Sequence, residues 1–176
     1  MIRRARRAAG RACLAWLPIW LLAGLLACPA SAQELGSTAM DRLMDRLGAV
    51  ALALGSTSAD LDRMYRLDKD YGRQDACSLL ALSWAADAGH RTAHDSFLTL
   101  SALRVHPTMS REAYLFHMLQ LRDAKARVDH AAKFMSDFDY LNVSEEDKPA
   151  VEPLRQELLE LQAIFEELSA ILSLDN

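Results

Sequence analysis

The chain has 176 residues and a net charge of −4, but all 24 of its acidic residues lie after residue 33. Residues 33–176 therefore hold 15 basic and 24 acidic residues, a net charge of −9, which argues against nucleic acid or anionic lipid as a partner because both bind dense lysine and arginine patches. These 144 residues are enough for one domain, and Cys77, their only cysteine, excludes an internal disulfide.

The N-terminus has the three parts of a secretory signal peptide. An arginine-rich segment comes first, followed by the apolar run Ala12–Ala27 and the small-residue tripeptide Ala30-Ser31-Ala32. The apolar run has 16 residues, which is short for a permanent membrane span of about 20 residues. We therefore expect residues 1–32 to be a signal peptide cleaved after Ala32, and residues 33–176 to be a single domain in the periplasm or outside the cell.

A lipid anchor is the main alternative to a soluble exported protein. The tetrapeptide Leu25-Leu26-Ala27-Cys28 resembles the bacterial lipobox, in which the cysteine is acylated and becomes the mature N-terminus. On that interpretation a lipid on Cys28 holds the protein at the membrane. Otherwise the chain meets the membrane only during export, through the signal peptide.

The rest of the sequence predicts helices, because no segment shows the sustained apolar and polar alternation of strands. Ser37 and Thr38 can cap a first helix, and the segment Gly55–Ser58 is expected to end it. A shorter second helix then runs from Leu61 to about Gly72. The first helix carries an apolar stripe at intervals of three and four, formed by Met40, Leu43, Met44, Leu47, Val50, Ala51 and Leu54.

The segment Asp75–Ala88 predicts a helix that is apolar on nearly every side. A helix without a polar face is expected at the centre of a domain. Gly89 is expected to end this helix. Thr92 and Asp95 can cap the next one, which Pro107 is expected to close.

Two long helices complete the predicted fold. One begins at Ser110 and ends near Phe138, and the other follows a break at residues 142–147, where Ser144 and Asp147 form a capping pair. The last helix has the strongest periodicity in the chain, with apolar residues at Val151, Leu154, Leu158, Leu161, Phe165, Leu168 and Leu172. Its stripe is wider than a two-stranded coiled-coil seam, which favours packing in a bundle.

Together these patterns predict an all-α, mostly antiparallel bundle of five or six helices after a cleaved signal peptide. The apolar stripe of the last helix could also pack against a second copy of the chain, so a homo-oligomer is a further possibility.

His90 and His94 are the candidate metal ligands. Their i,i+4 spacing places two imidazoles on one helical face, as in sites for zinc or copper. The expected helix end at Gly89 would separate them from Asp87, and a metal site needs a third convergent ligand. Polar residues at a solvated helix junction are the simpler interpretation.

No other cofactor or catalytic motif occurs. The sequence has no Walker loop, GxGxxG, serine nucleophile elbow or CxxCH haem attachment. Cys77 among leucine and alanine is typical of a small core residue. We therefore predict no cofactor and favour a protein that is not an enzyme.

Four glutamates of the last helix, Glu157, Glu160, Glu166 and Glu167, form either its solvated side or a docking strip for a basic protein partner. The preferred hypothesis is an exported, non-enzymatic binding or interaction protein of the bacterial envelope, such as an inhibitor, an immunity protein or an adaptor. One alternative is a bundle that binds metal or haem through His90 and His94. The other is a small-ligand sensor or carrier with a dry cavity near Trp84, Phe97 and Phe116.

Overall fold

The structure, a computed structural model, describes residues 30–71, 76–106, 108–138 and 143–174, with side chains from residue 38 onward. These residues form four helices: α1 (Ala30–Asp70), α2 (Ala76–Val105), α3 (Arg111–Asp137) and α4 (Lys148–Leu172). The predicted all-α fold is confirmed. The arginine-rich segment, the apolar run and Cys28 lie outside the described residues. Among the described residues, those up to Asp41 and those from Arg42 onward belong to separate units, and the packing below is that of the second.

The described residues contain four helices instead of five or six, because two expected helix ends are absent. α1 continues through Gly55–Ser58, and α2 continues through Gly89. Both glycines lie where another helix approaches closely. A Cβ on Gly55 would lie 3.1 Å from Nδ1 of His90, and a Cβ on Gly89 would lie 3.0 Å from Cδ2 of Leu158. Each glycine therefore serves helix packing and leaves the helix intact.

Helices that follow one another in the chain pack side by side and antiparallel, and α4 returns to lie beside α1. The direction is clear from the side-chain contacts, in which residue numbers rise on one helix while they fall on its neighbour. The contacts are Ala51 with His90 and Ser58 with Ser83 for α1 and α2, Lys125 with Glu166 and Asp129 with Gln162 for α3 and α4, and Arg46 with Glu167 and Thr57 with Glu157 for α1 and α4. This is the up-down-up-down arrangement of a four-helix bundle.

α4 supplies the largest part of the core. Its apolar stripe is confirmed from Val151 to Leu168, because Val151, Leu154, Leu158, Leu161, Phe165 and Leu168 are all 0% exposed. Leu172, the last residue of the predicted stripe, is only partly buried. The stripe of α1 is confirmed from Leu43 to Leu54. Full burial of one such leucine or phenylalanine side chain contributes roughly 1.5–3 kcal/mol, so these two stripes hold the bundle together.

The starts of the last two helices also agree with the sequence. The side-chain oxygen of Ser110 accepts a hydrogen bond from the backbone amide of Ala113, as an N-cap does. Before α4, the backbone amide of Asp147 donates to Oγ of Ser144. Pro149 follows in the first turn of α4, where a missing amide donor costs little.

The expected central position of the segment Asp75–Ala88 is wrong. Trp84 is 67% exposed, and Cys77 and Ala88 are exposed as well. In a bundle of four helices, every helix keeps one side away from the core. The outer side of α2 is apolar without being buried, and it lines the groove described next.

No helix in the described part of the chain combines the length and the hydropathy that a membrane crossing requires.

Candidate functional site

A groove runs between α2 and α3, and α4 forms its floor. Trp84 of α2 and Phe134 of α3 line its apolar stretch from the two sides, while Leu158 and Leu161 of α4 lie beneath. This apolar stretch has a volume of about 560 Å³, which lies within the range of small-molecule sites. Because Trp84 is 67% and Phe134 37% exposed, two aromatic rings present open surface to whatever enters.

Small side chains create the space. Ala81, Ala85, Ala88 and Gly89 come from α2, and Ala126 and Ala131 come from α3. Protein interiors are close-packed, so larger residues at these positions would fill the gap between the helices. The groove is therefore a direct consequence of the alanine-rich sequence of α2. The same alanines are the reason that the sequence of this helix is apolar on nearly every side.

The apolar stretch contains few polar groups. Thr92 is buried at 7% exposure, and the side chains of Arg127 and His130 lie at the solvent side. The methylene stem of an arginine can cover apolar surface while its guanidinium stays in water. Among the described residues, no hydrogen bond joins His130 to another side chain.

The groove continues past Arg127 into a polar stretch of about 510 Å³. Arg127 borders both stretches. The polar stretch has one carboxylate on each wall, Asp95 on α2 and Asp123 on α3, and both are exposed. The other lining residues are Ser96, Leu98, Thr99, Gln120 and Ala124.

The two candidate metal ligands lie on another side of α2. Because this helix continues through Gly89, His90 and His94 do share one face, and their ring centroids are 6.2 Å apart. Nδ1 of His90 lies 2.7 Å from the carbonyl oxygen of Ala51 on α1. The imidazole of His90 is therefore part of the contact between α1 and α2.

In the described part of the chain, no third metal ligand lies beside this pair. Asp87 forms an ion pair with Arg91 at 2.8 Å. Within the described residues there is no group of three or more histidine, cysteine, aspartate or glutamate side chains that could hold a metal ion.

The four glutamates of the predicted docking strip all make contacts inside the bundle. Glu160 and Glu167 both bind Arg46 of α1, at 2.8 and 2.6 Å, and these carboxylates raise the pKa of the Arg46 guanidinium. Glu166 lies 3.1 Å from Nζ of Lys125 on α3. Asp129 first, and then Glu166, raise the pKa of Lys125.

Glu157 differs from the other three because it is partly buried between α1 and α4. Its Oε1 accepts a hydrogen bond of 2.9 Å from the hydroxyl of Thr57. Its Oε2 is buried and has no hydrogen-bond partner among the described residues. Burial raises the pKa of the Glu157 carboxyl, and the hydrogen bond from Thr57 opposes this effect only in part.

The comparisons with known proteins identify no relative. No protein-family model matches the chain, and neither the curated proteins nor the solved structures contain a significant match. Any functional conclusion must therefore come from the groove and its residues.

The sequence located only part of this site. Trp84, one of the three aromatic residues predicted to lie near a cavity, does line the groove. The other two lie elsewhere. Phe97 packs against Gly48 of α1, where a Cβ would lie 3.8 Å from its ring, and Phe116 is 58% exposed near the start of α3. Phe134 was missed. The available signal was the set of alanines on α2, since small residues on an otherwise apolar helix mark a place where something else can enter.

Proposed function

We propose that the protein is an exported, non-enzymatic binding protein that takes a small, mainly apolar molecule in the groove between α2 and α3. The observation that carries this proposal is the apolar stretch, with its exposed Trp84 and Phe134 above a floor of α4 leucines. Export is inferred from the signal-peptide pattern of residues 1–32 alone.

A small molecule fits the apolar stretch better than a partner helix does. A helix with its side chains is about 10–12 Å across, so even three turns occupy on the order of 1,300 Å³. The apolar stretch offers about 560 Å³. Apolar lining with a few polar groups is also typical of ligand sites.

The contacts of the four glutamates support this choice over the acidic docking strip. Glu160, Glu166 and Glu167 already form ion pairs with Arg46 and Lys125. These half-exposed carboxylates are already partly neutralised by cations of the same chain, so a basic partner would gain less from them. The groove, in contrast, can be occupied without breaking any ion pair recorded for the residues that line its apolar stretch.

Titration with N-phenyl-1-naphthylamine tests the proposal, because the fluorescence of this neutral probe rises in apolar surroundings. We expect saturable binding with a stoichiometry of one. Trp84→Ala should weaken binding about tenfold, since a buried aromatic contact contributes on the order of 1.4 kcal/mol. Ala88→Leu, which places a larger side chain in the groove, should weaken it at least as much.

Two exposed residues of α1 supply matched controls. Leu52→Ala removes an apolar side chain that is 76% exposed outside the groove, and Ala49→Leu adds one at another exposed position. Both controls should bind like the wild type. Equal binding by Trp84→Ala, Ala88→Leu and the wild type would refute the groove as the ligand site.

A further inference from the structure

We infer that the natural ligand is a single-chain amphiphile with a positively charged head, such as a long-chain amine or quaternary ammonium compound. The inference rests on the proposed function and extends it to the polar stretch. Its tail would occupy the apolar stretch between Trp84 and Phe134, and its head would lie between Asp95 and Asp123.

The two stretches are placed so that one extended molecule can reach both. They lie along the same pair of helices and share Arg127 as a wall. Trp84 and Asp95 are 11 residues apart on α2, which corresponds to roughly 16 Å along the helix axis. A saturated chain of about twelve carbons has a similar length. A compact apolar molecule would leave the polar stretch unused.

The sign of the head follows from the charges in the polar stretch. Asp95 and Asp123 project one carboxylate from each wall, and Arg127 supplies one positive charge at the junction. The stretch therefore keeps a net negative charge. His94 lies 3.8 Å from Asp95 and adds positive charge only when protonated. Gln120 of α3 is neutral, and its Oε1 lies 3.2 Å from Nδ1 of His117.

The wider charge distribution acts in the same direction. The full chain carries a net charge of −4 and residues 33–176 carry −9, so in either form the field around the protein attracts cations and repels anionic amphiphiles. Because the two carboxylates are exposed, solvent and salt screen their attraction for a cation. The charge preference should consequently be moderate, about two- to fivefold at low ionic strength.

Three dodecyl compounds with different heads test the inference below their critical micelle concentrations. Dodecyltrimethylammonium, dodecyl maltoside and dodecyl sulfate would each compete with N-phenyl-1-naphthylamine on the full-length protein. We expect the ammonium compound to bind most tightly and the sulfate least tightly. The difference should shrink in 0.5 M sodium chloride.

The variant Asp95→Asn/Asp123→Asn should lose the preference for the ammonium compound and keep its affinity for the maltoside. Asp45→Asn/Asp70→Asn, which removes two exposed carboxylates of α1, is the control of equal net charge. It should keep the preference. If the double variant does not fold, the single variants Asp95→Asn and Asp123→Asn replace it. Each should reduce the preference for the ammonium compound in part.

The outcomes separate the inference from the proposed function. If all three compounds bind equally, or if the sulfate binds best, the cationic head is wrong, while Trp84-dependent binding of the maltoside keeps the groove as a ligand site. If the charge preference survives Asp95→Asn/Asp123→Asn, the head does not lie in the polar stretch. If N-phenyl-1-naphthylamine does not bind, and none of the three dodecyl compounds binds either, both proposals fail.

Discussion

Glu157 is a polar side chain partly buried in the contact between α1 and α4, and its burial is expected to lower the stability of the bundle. One of its oxygens accepts a hydrogen bond from Thr57, and the other is buried without a partner in the described part of the chain. Leaving a buried polar atom unpaired costs about 1–3 kcal/mol, and more when the group is charged. We expect Glu157→Gln to raise the free energy of unfolding at pH 7 by about 1 kcal/mol.

The pH dependence of this gain follows from the raised pKa of Glu157. As the pH rises, the carboxyl ionises first in the unfolded chain, so the wild type loses stability between the ordinary glutamate pKa and the raised folded value. Above that window the loss is complete, and well below pH 4 it is absent. Urea unfolding at pH 7 and at pH 3.5 should therefore show the Glu157→Gln gain only at pH 7.

A neighbouring glutamate provides the contrasting variant. Glu160→Gln removes a half-exposed ion pair with Arg46, which should lower stability slightly at pH 7, by at most about 1 kcal/mol. A gain from Glu157→Gln that is equally large at both pH values would show that burial of the charge is not its cause.

At the scale of the helices, the missing side chain of Gly89 lets α2 approach its neighbours closely. Gly89 meets Leu54 of α1 and Leu158 of α4, and a Cβ there would lie 3.2 and 3.0 Å from their methyl groups. Both leucines are 0% exposed, so they have little room to move. Overpacking typically costs about 1–3 kcal/mol, which exceeds the helix-propensity gain of about 1 kcal/mol for alanine over glycine.

We therefore expect Gly89→Ala to lower the free energy of unfolding by about 1 kcal/mol. Gly48 supplies the matched control, because a Cβ there would meet Phe97 at an ordinary 3.8 Å. Gly48→Ala should stabilise the bundle by about 0.5–1 kcal/mol. Urea midpoints of the two variants should thus move in opposite directions, and a shift of both toward higher stability would contradict the close approach at Gly89.

The same glycines explain which helix ends the sequence could not predict. Glycine after an apolar stripe is typical of a helix C-terminus, and this signal is local. The reason for Gly55 and Gly89 is not local, since it lies in His90 and Leu158 on other helices. The starts at Ser110 and Ser144–Asp147, by contrast, depend on hydrogen bonds within a few residues, and the sequence predicts them correctly.

For the whole molecule, periodicity was sufficient to predict the helical class and most of the core. The stripes of α1 and α4 are strongly amphipathic, and burial follows them closely. Most of the groove escaped prediction because a helix that is apolar on nearly every side has two explanations, a central position or an apolar face that lines a surface groove. Trp84 at 67% exposure decides for the second, and only the arrangement of neighbouring helices could show it.

Occupation of the groove should also stabilise the whole bundle, because a ligand that binds only the folded state shifts the unfolding equilibrium. N-phenyl-1-naphthylamine at ten times its dissociation constant should add about 1.4 kcal/mol to the free energy of unfolding. This should raise Tm by roughly 3–6 °C for a chain of this size. Differential scanning fluorimetry would be read through intrinsic emission at a wavelength free of the probe. Ala49→Leu should show the full shift and Ala88→Leu little or none. An equal shift in Ala88→Leu would mean that the probe stabilises the protein from a surface other than the groove.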